Sequence, residues 1–301
     1  MACHSRSFIR GLGFLLAIIL AGCAVVPRET QLVITPGVKR PVAAHIGSYQ
    51  EAVDAIVSVM TEDLQIPLRK TSFTLYFYPY REAFAEGLTE KFHTDPTVAR
   101  EIAQSALGRI RQTKEGKQLL VNEEMLGSLN WPTRIHVLAH ELTHIAQYEL
   151  AQGGLRGDLW FIEGSADWVA YRVLEILGMD TLDRRRIHKI AQVKREKAHG
   201  PRPSLSQMVS AKDWDSLSAR YGSAVPYAQA FLATDLLIQQ HGISSVIDYF
   251  RQVNSSQDRL ENFEAVFGQE LSVFEDEFTT HVERLVGGAL PNAAAPAALL
   301  N

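Results

Sequence analysis

The sequence has very little cysteine. Its 301 residues include two cysteines, Cys3 and Cys23, and both lie close to the N-terminus. The rest of the chain therefore has no thiol that could pair, which excludes a disulfide-stabilised fold. The stability of the folded part must come from the packing of its side chains.

A strong charge of either sign and internal repeats are also missing. The formal net charge is −4, and charged residues make up 21% of the chain. This balance gives no reason to propose nucleic-acid binding. No repeat with a period of about 20–50 residues is present. The hydrophobic content of 46% is that of an ordinary globular protein, long enough for one large domain or two modest ones.

The longest apolar run lies near the N-terminus, within a segment that has the form of an export signal. Residues 1–22 contain Arg6 and Arg10, followed by an apolar run that is too short to span a bilayer comfortably. The end of the run, Leu20-Ala21-Gly22-Cys23, matches the bacterial lipobox, in which cleavage before the cysteine is coupled to its acylation. The alternative is an ordinary signal peptide that happens to contain a cysteine.

Acylation of Cys23 would anchor the protein to a membrane of the bacterial cell envelope. Ala24 follows the cysteine at the position where an aspartate would indicate retention in the inner membrane. By resemblance to known lipoprotein sorting, we expect the periplasmic face of the outer membrane.

Beyond the lipidation site, the sequence predicts a tether, one large domain and a flexible tail. Residues 23–44 contain three prolines and lack periodicity, which is typical of a linker. Periodic patterns extend over residues 45–287, and the Ala-rich residues 288–301 form the tail. Helical spacing predicts helices over 49–64, 81–92 and 98–111, and an alternating pattern predicts a strand over 71–80.

The most informative stretch is His140-Glu141-Leu142-Thr143-His144, in a helix that is predicted to begin near Asn130 to Thr133. Residues four apart on an α-helix lie on the same face, so the two imidazoles can bind one metal ion. Glu141 lies one step round the helix. Its carboxylate is therefore beside the metal, where it could take a proton from a metal-bound water.

A second predicted helix carries two more candidate residues. Glu163 lies in its first turn, and Asp167 lies one turn later on the same face. An oxygen ligand from Glu163 would complete a set of two histidines and one glutamate and leave the fourth tetrahedral position for water. Asp167 is placed to accept a hydrogen bond from the second ring nitrogen of one histidine, and His140 is the one that we expect.

These segments resemble the gluzincins, the zinc metallopeptidases with HExxH on one helix and a glutamate ligand on the next. The chain most resembles the compact peptidase MA-like members, whose active-site region reads much like HELTH followed by W-x-x-E-G-x-A-D. The resemblance covers about residues 45–287. It implies an α+β, predominantly helical, zincin-like fold with a small N-terminal sheet lobe and a helical C-terminal lobe, and Zn²⁺ bound by His140, His144 and Glu163.

A third segment, Val225-Pro226-Tyr227, is similar to the V-P-Y stretch of the aminopeptidase N and leukotriene-hydrolase relatives. In those proteins the tyrosine hydrogen-bonds the tetrahedral intermediate, and the resemblance gives this role to Tyr227. Tyr221 is the alternative; Tyr227 is favoured because it follows Pro226 and opens an apolar helix. The Gly-x-Met-Glu-Asn motif, which those aminopeptidases use to hold a free amino terminus, is absent. Exopeptidase activity is therefore not implied.

The resemblance also gives a role to the strand predicted before the metal helix, over Lys117–Met125. In gluzincins generally the strand at this position is an exposed edge that can pair with the backbone of a bound peptide, so Val121 and Asn122 would border the substrate groove. The alternative is an ordinary strand of the sheet that contacts no ligand.

Two further features have a functional and a structural interpretation. His136 precedes His140 by one turn, but it lies too far along the helix axis for the ligand set, so we interpret it as a packed histidine. The basic stretch 180–199 could contact anionic lipid or an acidic partner. Because acidic residues are interspersed, a solvated helix face is the favoured interpretation.

Together these features predict a zinc metallopeptidase of the bacterial envelope, with endopeptidase activity on peptides or unfolded proteins. Glu141 would act as general base and Tyr227 as oxyanion donor. One alternative is a lipid-anchored chaperone or binding protein that keeps the fold and the metal but cleaves little, although the intact Glu141 argues against it. Another is an all-helical structural lipoprotein in which the pentad is a coincidence and no stoichiometric zinc is bound.

Overall fold

The computed structural model describes residues 28–34, 46–68, 73–114, 116–152, 157–195, 202–253, 255–256 and 258–287. The predicted export signal, the predicted lipidation site Cys23, most of the predicted tether and the predicted tail 288–301 lie outside these residues. Among the described residues, no helix combines the length and the apolar character that crossing a membrane requires.

The chain is mostly helical and contains one small sheet, as the α+β prediction states. The strands are β1 (Thr30–Ile34), β2 (Phe73–Tyr78), β3 (Gly108–Thr113) and β4 (Gly116–Asn122). The helices are α1 (Tyr49–Ser58, continued by a π-helical turn over Val59–Asp63), α2 (Arg81–Phe92), α3 (Pro96–Ala103), α4 (Glu123–Leu126), α5 (Trp131–Leu150), α6 (Leu159–Ile176), α7 (Leu182–Arg195), α8 (Ala211–Tyr221), α9 (Ala224–His241), α10 (Ile243–Gln252), α11 (Arg259–Phe267) and α12 (Leu271–Gly287).

The sheet has four strands in the order β1-β2-β4-β3. β2 and β4 are parallel, and an antiparallel strand flanks them on each side. The tether prediction is wrong for Thr30–Ile34, because these residues pair with Phe73–Phe77 of β2 as strand β1. The helix predicted over 98–111 is also wrong in its second half, where β3 pairs with β4. The strand predicted over Lys117–Met125 ends at Asn122, where α4 begins.

In this strand order β4 does not lie at an edge of the sheet. β4 lies between β2 and β3, and its residues Val121 and Asn122 are buried. The expectation that these two residues border a groove is therefore wrong; β4 is an ordinary inner strand. The side-chain amide of Asn122 donates to the carbonyls of Ala103 and Ala106 at 3.2 and 3.3 Å, so it holds the loop between α3 and β3. β3 forms the edge on this side of the sheet instead, and β1 forms the opposite edge.

Helices α5, α6 and α9 form the centre of the main core. Gly164 of α6 is the point of closest approach to α9: a Cβ added there would lie 2.2 Å from the carbonyl oxygen of Ala230 and 2.4 Å from Oγ1 of Thr234. The aromatic residues of the last helices are also core residues, as the sequence predicts. They are Phe263, Phe267, Phe274 and Phe278.

Helix α7 carries much of the basic stretch, and several of its cations form ion pairs with other residues of the protein. Arg186 donates two hydrogen bonds, of 2.7 and 2.8 Å, to Asp235 of α9, and Asp235 also accepts from the indole of Trp168 at 2.9 Å. Arg185 pairs with Asp180, and Lys189 is buried. The interpretation as a solvated face is therefore wrong for the side of α7 that packs on α6 and α9.

Gly164→Ala should destabilise the protein. The added methyl group would meet a backbone carbonyl that can move only with helix α9, and overpacking of this kind costs about 1–3 kcal/mol. Alanine recovers up to about 1 kcal/mol through its helix propensity, so we expect a net loss of about 1–2 kcal/mol. Urea unfolding measures it. Gly47→Ala is the control, since a Cβ there meets nothing within 4 Å; equal stabilities of the two variants would contradict the close approach of α6 and α9.

Candidate metal centre

Helix α5 brings the two histidines of the pentad together. It begins where the sequence predicts, with the side chain of Asn130 accepting from the backbone N–H of Thr133 at 3.0 Å and Pro132 in the first turn. One turn apart, His140 and His144 direct their Nε2 atoms towards each other at 3.1 Å. Two nitrogen lone pairs repel at this distance, so a proton or a metal cation is needed between them.

Glu163 completes a cluster of three possible ligands. Helix α6 packs on α5 and places Glu163 Oε2 3.2 Å from His140 Nε2 and Oε1 3.8 Å from His144 Nε2. The three ligand atoms lie within 4.8 Å of one another. The side chains are only 9% to 16% exposed. The structure thus brings together the three residues that the sequence predicts as ligands, in a group that could hold a metal ion.

Comparison with known proteins identified no relative of this chain. No family model, curated protein or solved structure matches the chain. What the cluster can bind therefore follows from its own atoms and from the side chains around them.

Asp167 contacts His140 on the side away from the cluster. Its Oδ1 lies 3.2 Å from His140 Nδ1, and its Oδ2 accepts from Lys189 Nζ at 2.7 Å. Burial raises the pKa of Asp167, but the Lys189 charge and the two neighbouring histidines, His140 and His136, together outweigh burial and hold the pKa below its ordinary value. Asp167 is therefore an ionised acceptor, which places a proton on Nδ1 of His140 and directs Nε2 to the cluster.

The pKa of His140 reflects the same surroundings. Burial lowers it, but the hydrogen bonds to Asp167 and Glu163 outweigh burial and raise the pKa to about 10. The pKa of Glu163 shifts in the opposite direction. Burial raises its pKa, whereas the two histidines lower it, and the net pKa lies below the ordinary value. The site therefore favours a cation next to Glu163, and a metal ion would compete with the proton on Nε2.

Gln147 orients His144, and the sequence analysis missed it. His144 Nδ1 lies 2.8 Å from Oε1 of Gln147, whose Nε2 donates to the carbonyl of Ile162 at 2.9 Å and to Oγ of Ser165 at 3.0 Å. An amide oxygen only accepts, so the Nδ1 proton faces Gln147 and Nε2 is left for a cation. The spacing in the sequence could have indicated this contact, because a residue three positions after His144 lies on the same helix face.

The cluster borders a cleft of about 680 Å³. The loop before β3, the start of β3, and helices α5, α6, α8 and α9 form its walls. Glu141 lines the cleft next to His140 and Glu163 without belonging to the cluster. Gly108 of β3 comes close to it: a Cβ on Gly108 would lie 3.4 Å from Cγ of Glu141. The side chain predicted to act as a base thus lines the same cleft as the cluster and lies close to the edge strand.

The two candidate tyrosines occupy different places. Tyr227 lines the cleft, with its ring 6.3 Å from that of His140 and edge-on to Trp214 at 4.9 Å. Burial, reinforced by the nearby carboxylates, raises the pKa of Tyr227, so its hydroxyl stays protonated and can donate. Tyr221 is buried at the end of α8 beneath the guanidinium of Arg220 and is not among the residues that line the cleft.

His136 lies on the same stripe of α5 as His140 and His144 but outside the cluster. Its ring packs on Tyr171 at 4.3 Å, and its Nε2 is 3.5 Å from Oδ1 of Asp167. Burial lowers its pKa to about 4. A neutral, packed histidine is what the sequence analysis expected at this position.

Lys189→Met should destabilise the protein by about 3–5 kcal/mol, because it leaves the Asp167 carboxylate buried without its cation. Urea unfolding at neutral pH measures the change. Lys212→Met, at an exposed residue of α8, should stay within about 0.5 kcal/mol of the unsubstituted protein. The double variant Lys189→Met/Asp167→Asn should recover much of the loss, since neither charge is then unpaired. A Lys189→Met effect no larger than that of Lys212→Met would contradict the pairing.

Proposed function

We propose that this protein is a zinc-dependent peptidase that hydrolyses peptide bonds in the cleft beside His140, His144 and Glu163. The observation that carries the proposal is the convergence of these three side chains with a further carboxylate, Glu141, beside the cluster. Zinc–ligand bonds of about 2.1 Å in a tetrahedron separate the ligand atoms by about 3.4 Å. His140 Nε2 lies 3.1 Å from His144 Nε2 and 3.2 Å from Glu163 Oε2, both close to that value, and the 3.8 Å contact of His144 Nε2 is with the other carboxylate oxygen, Oε1.

The surrounding side chains have the chemistry that amide hydrolysis requires. Bound zinc would supply a Lewis acid and an activated water. Glu141 accepts the proton of the attacking water and passes it to the leaving nitrogen, a contribution of about 10²- to 10⁴-fold. Tyr227 donates its hydroxyl proton to the developing oxyanion, which contributes about 10²- to 10³-fold. Asp167 and Gln147 keep the two imidazoles in the orientation that binds the metal.

Strand β3 is the element that we propose holds the substrate backbone. The N–H of Asn122 donates to the carbonyl of Leu107 at 2.9 Å, so Leu107 faces β4. The backbone groups of successive strand residues face opposite sides, so those of Gly108 and Ile110 face away from β4. No described strand pairs with that side of β3. An extended peptide in the cleft can add there as a further strand.

The family and the location belong to the same proposal. The mostly helical α+β architecture and the His140, Glu141, His144 and Glu163 pattern support a gluzincin of the peptidase MA-like type, with a zincin-like fold. The absence of a motif for a free amino terminus supports endopeptidase activity. An envelope lipoprotein anchored through Cys23 is supported by the leader sequence alone.

A matched pair of variants separates metal binding from catalysis. Glu141→Gln should retain one zinc per chain and lose at least about 10²-fold in turnover, because it removes the base and leaves the ligands. His144→Ala should lose the zinc itself. Elemental analysis of purified protein and hydrolysis of an unfolded protein substrate, with and without a chelator, measure both effects. Full turnover by Glu141→Gln would remove Glu141 from the mechanism, and an unsubstituted protein without zinc would end the proposal.

The two tyrosines provide a second matched pair. Tyr227→Phe should lower kcat by about 10²- to 10³-fold with little change in KM, since the hydroxyl is needed when the oxyanion forms and the ring still packs on Trp214. Tyr221→Phe should leave both constants nearly unchanged. Steady-state kinetics on one peptide substrate tests the pair, and the reverse pattern would move the oxyanion donor to Tyr221.

A further inference from the structure

Arg109 differs from the other charged residues of the cleft. It is the only arginine or lysine among the described residues that line the cleft. It lies exposed on β3 and forms no ion pair with a described residue. The acidic lining residues are Glu141, Glu163, Asp167 and, on α8, Asp215. The cleft therefore presents one free positive charge, on its edge strand, among carboxylates.

The register of β3 determines which part of a bound peptide meets Arg109. The backbone groups of Gly108 and Ile110 are directed to the open edge, whereas those of Arg109 are directed to β4. An antiparallel peptide strand bonded to Gly108 and Ile110 would place one residue opposite Arg109 in a non-hydrogen-bonded pair. Side chains are closest in pairs of this kind and lie on the same face of the sheet. The residue opposite Arg109 would therefore contact the guanidinium.

The same register places the peptide residue opposite Arg109 close to Glu141. Gly108 is the β3 residue that approaches Glu141, because a Cβ added to Gly108 would lie 3.4 Å from Cγ of Glu141. The peptide group bonded to Gly108 would therefore be the one nearest the base. The residue opposite Arg109 is its neighbour along the peptide.

We propose that Arg109 makes this protein select peptides that carry an aspartate or glutamate next to the cleaved bond. This inference rests on the proposed peptidase function. An acidic side chain opposite Arg109 forms a cross-strand ion pair. At other positions of the cleft it would meet carboxylates, which repel it. The preference should therefore be confined to one substrate position.

Peptide pairs that differ only by Glu or Gln at a single position test the selection, because the two side chains have nearly the same shape. With the zinc-loaded, full-length protein, we expect kcat/KM to favour Glu by about twofold to fivefold at one position beside the cleaved bond. Arg109→Gln should remove the preference, and Arg109→Glu should reverse it in favour of Lys. Arg251→Gln, which removes an exposed arginine of α10 outside the cleft, should leave the preference unchanged.

Binding to the Glu141→Gln variant gives a second readout that does not depend on turnover. The Glu peptide should bind more tightly than the Gln peptide by a similar factor, and the difference should shrink as salt is added. If Arg109→Gln left the Glu-to-Gln ratio unchanged in both measurements, the selection would be overturned and the peptidase proposal would stay intact. Absence of cleavage of every peptide by the zinc-loaded protein would overturn both.

Discussion

The rest of the structure depends on the burial of three candidate ligand side chains, His140, His144 and Glu163, between helices α5 and α6. Buried polar groups cost free energy unless each one is hydrogen-bonded. The structure meets this condition with one acceptor for each imidazole: Asp167 for His140 and Gln147 for His144. Asp167 in turn accepts a hydrogen bond from Lys189, and Gln147 donates one to the carbonyl of Ile162. The ring orientations are therefore determined by the fold, and a metal ion would meet nitrogens that already point to a common centre.

The charge of Asp167 in turn determines how helix α7 packs. A carboxylate that is buried to this degree needs a cation, and Lys189 of α7 supplies it across 2.7 Å. Arg186, one turn earlier, forms the parallel contact with Asp235 of α9. Two ion pairs on one face of α7 thus fix this helix against α6 and α9, and the packing of a peripheral helix is coupled to the geometry of the candidate metal ligands.

Local patterns predicted the helices of the site well, because helical spacing, an N-cap and a proline in the first turn act within a few residues. The strands were predicted less well. The helix assigned to 98–111 fails where β3 begins, since the strand state of Gly108–Thr113 depends on pairing with β4. Thr30–Ile34 was assigned to a tether because its partner, β2, lies about forty residues further on. The burial of Lys189 likewise depends on a carboxylate from another helix, and no local pattern in α7 indicates it.

The same dependence on long-range pairing explains why the sequence analysis expected an exposed edge at β4, although β3 lies at the edge. β4 directly precedes the metal region in the chain, but the strand order is not encoded locally, and the short β3–β4 connection places β3 outside β4. The edge therefore begins with Gly108, which lies close to Glu141: a Cβ added there would be in van der Waals contact with Cγ of Glu141, at 3.4 Å. Asn122 of the inner strand β4 holds the loop that leads into β3. The buried strand β4 therefore helps to position β3 at the border of the cleft.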